Sequence, residues 1–291
     1  KNMITIFTPT YNRAYIIGNL YESLKKQTNK DFEWLVVDDG STDNTESMFT
    51  ELLADKRDFP VRYIKQTNGG KHRAINRGVK EARGEMFFIV DSDDTLTCDA
   101  VEKIKKWFFS LDGSLKFAGV SGLRGNADNK VIGGGGNGGN YVDATNLERK
   151  KKNLLGDKAE VYYTDVLKKY PFPEFEGEKF ITEEVVWNKI AADGYYIRWF
   201  SDIIYFTEYL DDGLTKTSNR YSVNPQGTLY WAKQQLVFNK GDFKSRLSAI
   251  KRYYFAVKDK KTDKEIVKDL GVCRVELSLV KFISFLKGSK S

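Results

Sequence analysis

The feature that most constrains this chain is the stretch Gly84-Glu85-Met86-Phe87-Phe88-Ile89-Val90-Asp91-Ser92-Asp93-Asp94, where an unbroken apolar run ends in three closely spaced carboxylates. Such a run, bounded by a glycine and an acidic turn, is the pattern of a buried central strand. Its acids then emerge together at the strand's carboxyl end, where open α/β sheets place their ligands. Carboxylates so close repel one another unless a cation lies among them, and hard oxygen ligands suit Mg²⁺ or Mn²⁺. The reading that follows is a divalent ion held by Asp93 with Asp91 and Asp94 and bridging a diphosphate. The plainer reading is an acidic turn capping the helix expected from near Thr97.

What precedes this stretch bears on the choice. Met3 to Thr8 is a short β-rich run, expected to end at Pro9 because proline does not continue a central strand. Ile16 to Leu24 has helical spacing, and Phe32 to Val37 is a second apolar strand ending in Asp38-Asp39-Gly40-Ser41-Thr42-Asp43. A helix is expected from Asn44 to Leu53, a strand from Val61 to Ile64, a Gly-Gly turn at Gly69-Gly70 and a helix from Ala74 to Ala82. Strands alternating with helices in this way indicate right-handed βαβ units, hence an α/β fold with a mainly parallel sheet flanked by helices.

Four segments together carry a family resemblance: Thr8-Pro9-Thr10-Tyr11-Asn12, Val37-Asp38-Asp39-Gly40-Ser41-Thr42-Asp43, Asn68-Gly69-Gly70 with Ala74 and Asn76, and Asp91-Ser92-Asp93-Asp94. In order and spacing they resemble the inverting family 2 glycosyltransferases of the GT-A fold, of the bacterial polysaccharide type. The resemblance implies transfer of a sugar from a nucleotide-sugar, usually a UDP-sugar, to a glycan or lipid-linked glycan hydroxyl. It also implies that Asp91-Ser92-Asp93 is the metal-binding Asp-X-Asp, with Thr8, Pro9, Tyr11, Arg13, Asp39, Asn68, Gly70, Lys71, Arg73, Asn76, Asp91 and Ser92 around the donor.

The chemistry of the residues agrees. Tyr11 can stack on a nucleobase, and Asp39 can accept the imide hydrogen of uracil, which selects against bases lacking that donor. Lys71 and Arg73 follow the glycine pair at a helix start, where backbone N–H groups also favour anions. The family often has an Arg immediately before the Asn of this segment, whereas here Ile75 precedes Asn76, which leaves the diphosphate-contacting cation open. His72 is the only histidine. With no exposed Ser signalled beside it, it is taken as a polar residue of the helix N-terminus.

Later segments are less specific. Val101 to Phe109 is expected to be helical and Phe117 to Ser121 a strand. Gly133 to Gly136 lacks the strand-turn-helix setting of a dinucleotide fingerprint and is taken as a surface loop. Thr182 is placed to cap a helix whose first turn carries Glu183 and Glu184. That pair resembles the family's acidic motif, which implies Glu184 as general base and Glu183 as an acceptor-positioning residue. Glu208 to Lys216 is expected to close the catalytic body as a loop, giving domains at 1–215 and 216–291.

The 291 residues, 41% hydrophobic, exclude a disordered chain. Cys98 and Cys273 lack metal-ligand spacing and point to a reducing compartment. With no apolar run of bilayer length, the expected place is the cytoplasm, with the inner membrane face as an option. Residues 216–291 hold seventeen Lys or Arg against six Asp or Glu, a balance of +11, which leaves the first 215 at −4 within a whole-chain charge of +7. This pattern describes a basic helical extension rather than a nucleic-acid-binding fold. Helices are expected at Tyr230 to Phe238, Phe243 to Val257 and Val272 to Leu286. The last is amphipathic, which leaves three readings: internal packing, a homo-oligomer contact, or an anionic membrane surface. A nucleotidyltransferase would show a Gly-rich phosphate loop after the first strand, where Thr8-Pro9-Thr10-Tyr11 stands. An inactive sugar-nucleotide-binding module would have lost the acids.

Overall fold

The structure, a computed structural model, describes residues 3–126, 128–134, 140–207 and 219–288. The loop expected at Glu208 to Lys216, the domain boundary drawn through it, and Gly135 and Gly136 of the run Gly133 to Gly136 lie outside the described residues. The chain forms two compact units, one of residues 1–172 and 186–211, the other of 173–185 and 212–291.

The first unit alternates β1 (Ile4–Thr10), α1 (Ile17–Lys25), β2 (Phe32–Asp38), α2 (Thr45–Ala54), β3 (Val61–Lys65), α3 (Lys71–Glu81) and β4 (Met86–Ile89). β1 pairs parallel with both β2 and β4, and β2 pairs parallel with β3. This is the expected parallel half of alternating strands and helices. Every residue of β1 and β2 is buried, as continuous apolar runs covered on both faces must be. β1 continues through Pro9 to Thr10 instead of stopping at the proline. Its pairing with β4 ends at Phe7 and Ile89, so beyond Phe7 it is an edge on that side, where a missing N–H costs no ladder bond.

The second half follows as β5 (Thr95–Leu96), α4 (Ala100–Phe109), β6 (Phe117–Gly125), β7 (Tyr141–Ala144), β8 (Lys158–Tyr163), the short α5 (Thr164–Leu167), α6 (Glu184–Ala192) and β9 (Tyr196–Phe206). Among the described residues all nine strands join one sheet, ordered β3-β2-β1-β4-β8-β6-β9-β5, with β7 on β9. β8 runs antiparallel between β4 and β6, so the sheet is mixed beyond β4.

A buried acid ties the parallel half together. Glu33, in the middle of β2, accepts from the Thr5 hydroxyl at 2.7 Å and the Arg83 amide at 2.8 Å, and pairs with Arg62 at 3.2 Å. A buried carboxylate needs such partners to offset its lost hydration. α3 lies so close to β1 that a Cβ on Gly78 would stand 2.2 Å from the Phe7 ring.

In the second unit, α7 (Pro225–Phe238), α8 (Phe243–Val257), α9 (Asp263–Leu270) and α10 (Arg274–Gly288) follow one another. α9, absent from the expected helices, starts with the capping box of Thr262 and Glu265 and ends at Gly271 with φ 67°. Residues 173–185, expected in the catalytic body, cluster with these helices. Buried Glu178 accepts from the Gln226 and Gly227 amides at 2.7 and 2.8 Å, at the positive end of α7. The Asn224 side chain accepts from the Lys179 and Phe180 amides. Among the described residues no helix is long and apolar enough to cross a membrane.

Gly78→Ala should force α3 off β1, because the clash falls on the ring of a fully buried phenylalanine with nowhere to move. A loss of about 1–3 kcal/mol in urea unfolding is expected. An unchanged midpoint would mean that the helix and strand separate freely.

Candidate active site

The loops after β1 and β2 are stitched side by side. Asn12, in the left-handed region at φ 53°, donates its amide to the Ser41 hydroxyl at 2.8 Å, and its side-chain oxygen accepts from the Thr42 amide at 2.8 Å. The Ala14 amide adds a bond to Asp43 at 3.0 Å. These bonds leave the Tyr11 ring 47% exposed at the rim of the sheet, as a stacking surface requires. Thr8 is instead fully buried, its hydroxyl accepting from the Trp34 indole at 3.0 Å, so it supports the strand from inside the core. Pro9 is likewise buried.

Asp39 is the hub of this end of the sheet. Its Oδ1 accepts from the Gln66 side chain and the Gly69 amide, each at 2.9 Å, and its Oδ2 accepts from the Gly70 amide at 2.7 Å and the Asn68 side chain at 3.1 Å. Four donors fill the lone-pair sites of a carboxylate. An imide hydrogen therefore reaches Asp39 only by displacing one of the two side-chain amides. Gly40 is required at the crossing, with φ 81° and room for a Cβ only 2.9 Å from the Asn68 nitrogen.

Gly70, at φ 98°, starts α3 and aims its first residue back at the sheet. The Lys71 ammonium pairs with Asp91 Oδ1 at 2.6 Å. Arg73 turns to the Gly69 carbonyl at 2.7 Å, and Asn76 exchanges two bonds with the Phe172 backbone, at 2.8 and 3.0 Å. Both thus brace neighbouring backbone. His72 is buried in the first turn of α3 rather than lying on its surface.

The acidic turn has three carboxylates in three settings. Burial pushes Asp91 up, but the charges of Lys71 and Arg124 outweigh it and hold the carboxyl below its usual range. Asp93 is pushed up by burial and by the Asp91 charge, with Arg13 and Lys71 opposing. Asp94 is pushed up to about 7 by burial and Asp91, against the Tyr205 hydroxyl, which donates to it at 2.6 Å, and Arg124 at 3.7 Å. The Tyr205 oxygen also accepts from the Asp91 amide at 3.0 Å, while Arg124 lies over the Tyr205 ring at 4.2 Å. Ser92 is buried in this turn. Arg124 and Tyr205 carry no motif of their own in the sequence. Only their places at the ends of β6 and β9 bring them here.

Among the described residues no group of three His, Cys, Asp or Glu side chains is arranged to hold a metal on its own. What the turn offers is a partial set of hard oxygen donors, with Asp93 and Asp91 under mutual repulsion that a cation relieves. That fits an ion such as Mg²⁺ or Mn²⁺, whose remaining ligands come from phosphate oxygens and water.

Glu183 and Glu184 belong to the second unit. α6 begins at Glu184, so only Glu184 sits in its first turn and Glu183 lies before the helix. Glu184 Oε2 accepts from the Trp231 indole and Oε1 from the Gln235 amide, both at 2.9 Å. The Arg252 guanidinium stacks 3.7 Å from the centre of the Trp231 ring.

Residues 5–114 match the sequence family described as glycosyl transferase family 2. The glycosyltransferase GlyG of Streptococcus pneumoniae is 36% identical over 105 residues, which is 36% of this chain and 34% of that protein. The chondroitin synthase of Pasteurella multocida is 35% identical over 133 residues, which is 46% of this chain and 14% of the synthase. The matched stretch thus spans about a third or less of these relatives' length. TarS residues 1–349 of S. aureus in complex with UDP-GlcNAc superposes with a TM-score of 0.67 at 18% identity, covering 98% of this chain and 92% of that one. The mannosyltransferase PcManGT of Pyrobaculum calidifontis, in complex with GDP-Man and Mn²⁺, gives 0.53 at 17%, covering 99% and 79%. At such identities the likeness is one of fold. Residues 5–114 of this chain are a glycosyl transferase family 2 domain, and the fold that holds them is GT-A.

Proposed function

We propose that this chain is an inverting glycosyltransferase that moves a sugar from a nucleotide-sugar, a UDP-sugar in the first instance, to a hydroxyl of a glycan or lipid-linked glycan. The observation that carries the reading is the row of groups at the carboxyl ends of β1, β2 and β4: the exposed Tyr11 after β1, Asp39 bonded to the Gly70 amide, and Lys71 paired with Asp91, whose charge acts on Asp93. It sets a stacking surface, a helix start and a cation-seeking carboxylate turn in sequence, in the order base, diphosphate and metal that a nucleotide-sugar presents. Uridine is favoured because Asp39 is an acceptor and uracil offers an imide donor; the Gln66 or Asn68 amide yields its place to that donor. The UDP-GlcNAc bound by TarS and the Mn²⁺ in PcManGT support the same assignment.

Asp93, with Asp91, would hold a divalent ion. When bound, such an ion supplies Lewis-acid stabilisation of the charge that develops on the departing diphosphate. Lys71 stands next to that charge and neutralises part of it. Glu184 takes the proton of the acceptor hydroxyl as its oxygen attacks the anomeric carbon, and inversion needs no second, nucleophilic carboxylate. Trp231 and Gln235 fix the plane of the Glu184 carboxylate. Glu183, just outside the helix, positions the acceptor.

A panel of UDP-sugars scored for UDP release tests the whole reading, and two variants test its parts. Mn²⁺ should strengthen UDP binding to the parent in calorimetry, and Asp93→Ala should lose that enhancement while keeping metal-free binding. Undiminished metal dependence in Asp93→Ala would remove Asp93 from the role. Glu184→Gln should keep UDP affinity and thermal stability while cutting transfer about a hundredfold or more. If Glu184→Gln turns over like the parent and Glu183→Gln is dead, the two roles are exchanged.

A further inference from the structure

The second unit exposes an apolar face that its own helices do not cover. On α10, Leu277 and Val280 are buried, whereas Phe282 and Phe285 are 59% and 72% exposed, and Phe255 of α8 is 44% exposed. Tyr254, Phe255, Lys258, Lys281, Phe282 and Phe285 line one open concavity of about 650 Å³. Cations surround it. Lys251 and Lys258 lie one turn to either side of Phe255, their ammonium groups 5.8 and 5.5 Å from the ring centre. Lys281 approaches the Tyr254 ring at 5.9 Å while pairing with Asp263 at 2.7 Å, so Lys251 and Lys258 carry most of the unspent charge.

The chemistry of the face narrows its occupant. Phenylalanine has no polar atom, so a glycan or a polyphosphate would gain no hydrogen bond from the three exposed rings. A second copy meeting this face across a two-fold axis would bring the same lysines against each other, since such an interface pairs a patch with itself. A bilayer with anionic headgroups satisfies both parts at once. The rings enter the boundary between headgroups and acyl chains, and the lysines extend along it to reach the phosphates. The +11 balance of residues 216–291 points the same way.

We propose that the Phe255, Phe282 and Phe285 face of α8 and α10 docks on an anionic lipid bilayer, holding the chain as a peripheral membrane protein. This inference does not rest on the transferase reading, because docking needs neither donor nor acid turn. The test is sedimentation of the full chain with phosphatidylcholine vesicles, with and without phosphatidylglycerol, at low and at raised salt. Binding is expected only to the phosphatidylglycerol vesicles and should weaken as salt rises. Lys251→Glu with Lys258→Glu, and separately Phe282→Ser with Phe285→Ser, should each lower the partition about tenfold or more. Unchanged thermal midpoints and UDP binding show that these surface changes leave the fold intact; should a variant unfold, the lipid and salt dependence of the parent still decides. The proposal is overturned if the parent ignores anionic vesicles or binds neutral ones equally, or if folded variants bind undiminished. It is also overturned if the chain forms a dimer that Phe282→Ser with Phe285→Ser abolishes.

Discussion

The geometry of the nucleotide end depends on one carboxylate. Asp39 receives four hydrogen bonds, two of them from the backbone of Gly69 and Gly70, and so fixes a loop that has no side chains of its own to hold it. Glycine loses the most conformational freedom on ordering, so a Gly-Gly segment holds one shape only where something outside it sets that shape. The charged acceptor does this more strongly than a neutral one could. Because α3 starts at the next residue, the position of Lys71 and of the helix start is inherited from Asp39. The same clamp explains why Gly40 is crowded by Asn68: the loop after β3 is drawn against the end of β2.

Charge balance is the second constraint, and it reaches across the sheet. Three carboxylates packed at the end of β4 would repel if each were left to itself. Asp91 is matched by Lys71 from α3, and Asp94 by the Tyr205 hydroxyl and the Arg124 guanidinium from β9 and β6. Asp93 is compensated by its own backbone amide and by the charges of Arg13 and Lys71, which do not outweigh its burial and the Asp91 charge. The mixed second half of the sheet is therefore more than a lid on the core: it delivers the cation and the hydroxyl that compensate Asp94.

What could be read from the sequence follows from how local the cause is. β1, β2 and β4 are short β-rich or apolar runs between turn signals, and α4 and α8 carry a clear period, so all appear within about two residues of their expected bounds. The acidic turn and the glycine pair were equally legible, because each is a contiguous string with one plain chemistry. The Glu33 network, the Asn12 bridge and the Arg124, Tyr205 and Asp94 group were not legible. Each joins residues from different elements, separated by between 28 and 111 positions in the bonds quoted. The extension of β1 through Pro9 depended on where β4 stops, which no local rule contains. α9 was missed because its eight residues are mostly charged and have only Ile266 and Leu270 to bury. Its capping box was the signal that could have revealed it.

The second unit repeats, with helices, the use of buried acids as anchors. Glu178 takes the first free amides of α7, and Glu184 takes the Trp231 and Gln235 side chains farther along the same helix. Two carboxylates from the segment before α6 thus grip one helix at its end and along its side. The two grips differ in their donors. Backbone amides at a helix start lack partners within the helix, so Glu178 satisfies donors that must be satisfied and its role is complete in the fold. Trp231 and Gln235 are themselves buried, so Glu184 likewise satisfies donors that water does not reach. Arg252, stacked on the far face of the Trp231 ring, holds the indole in that service. Side-chain donors therefore set the plane of the Glu184 carboxylate, whereas the backbone of a helix start sets that of Glu178.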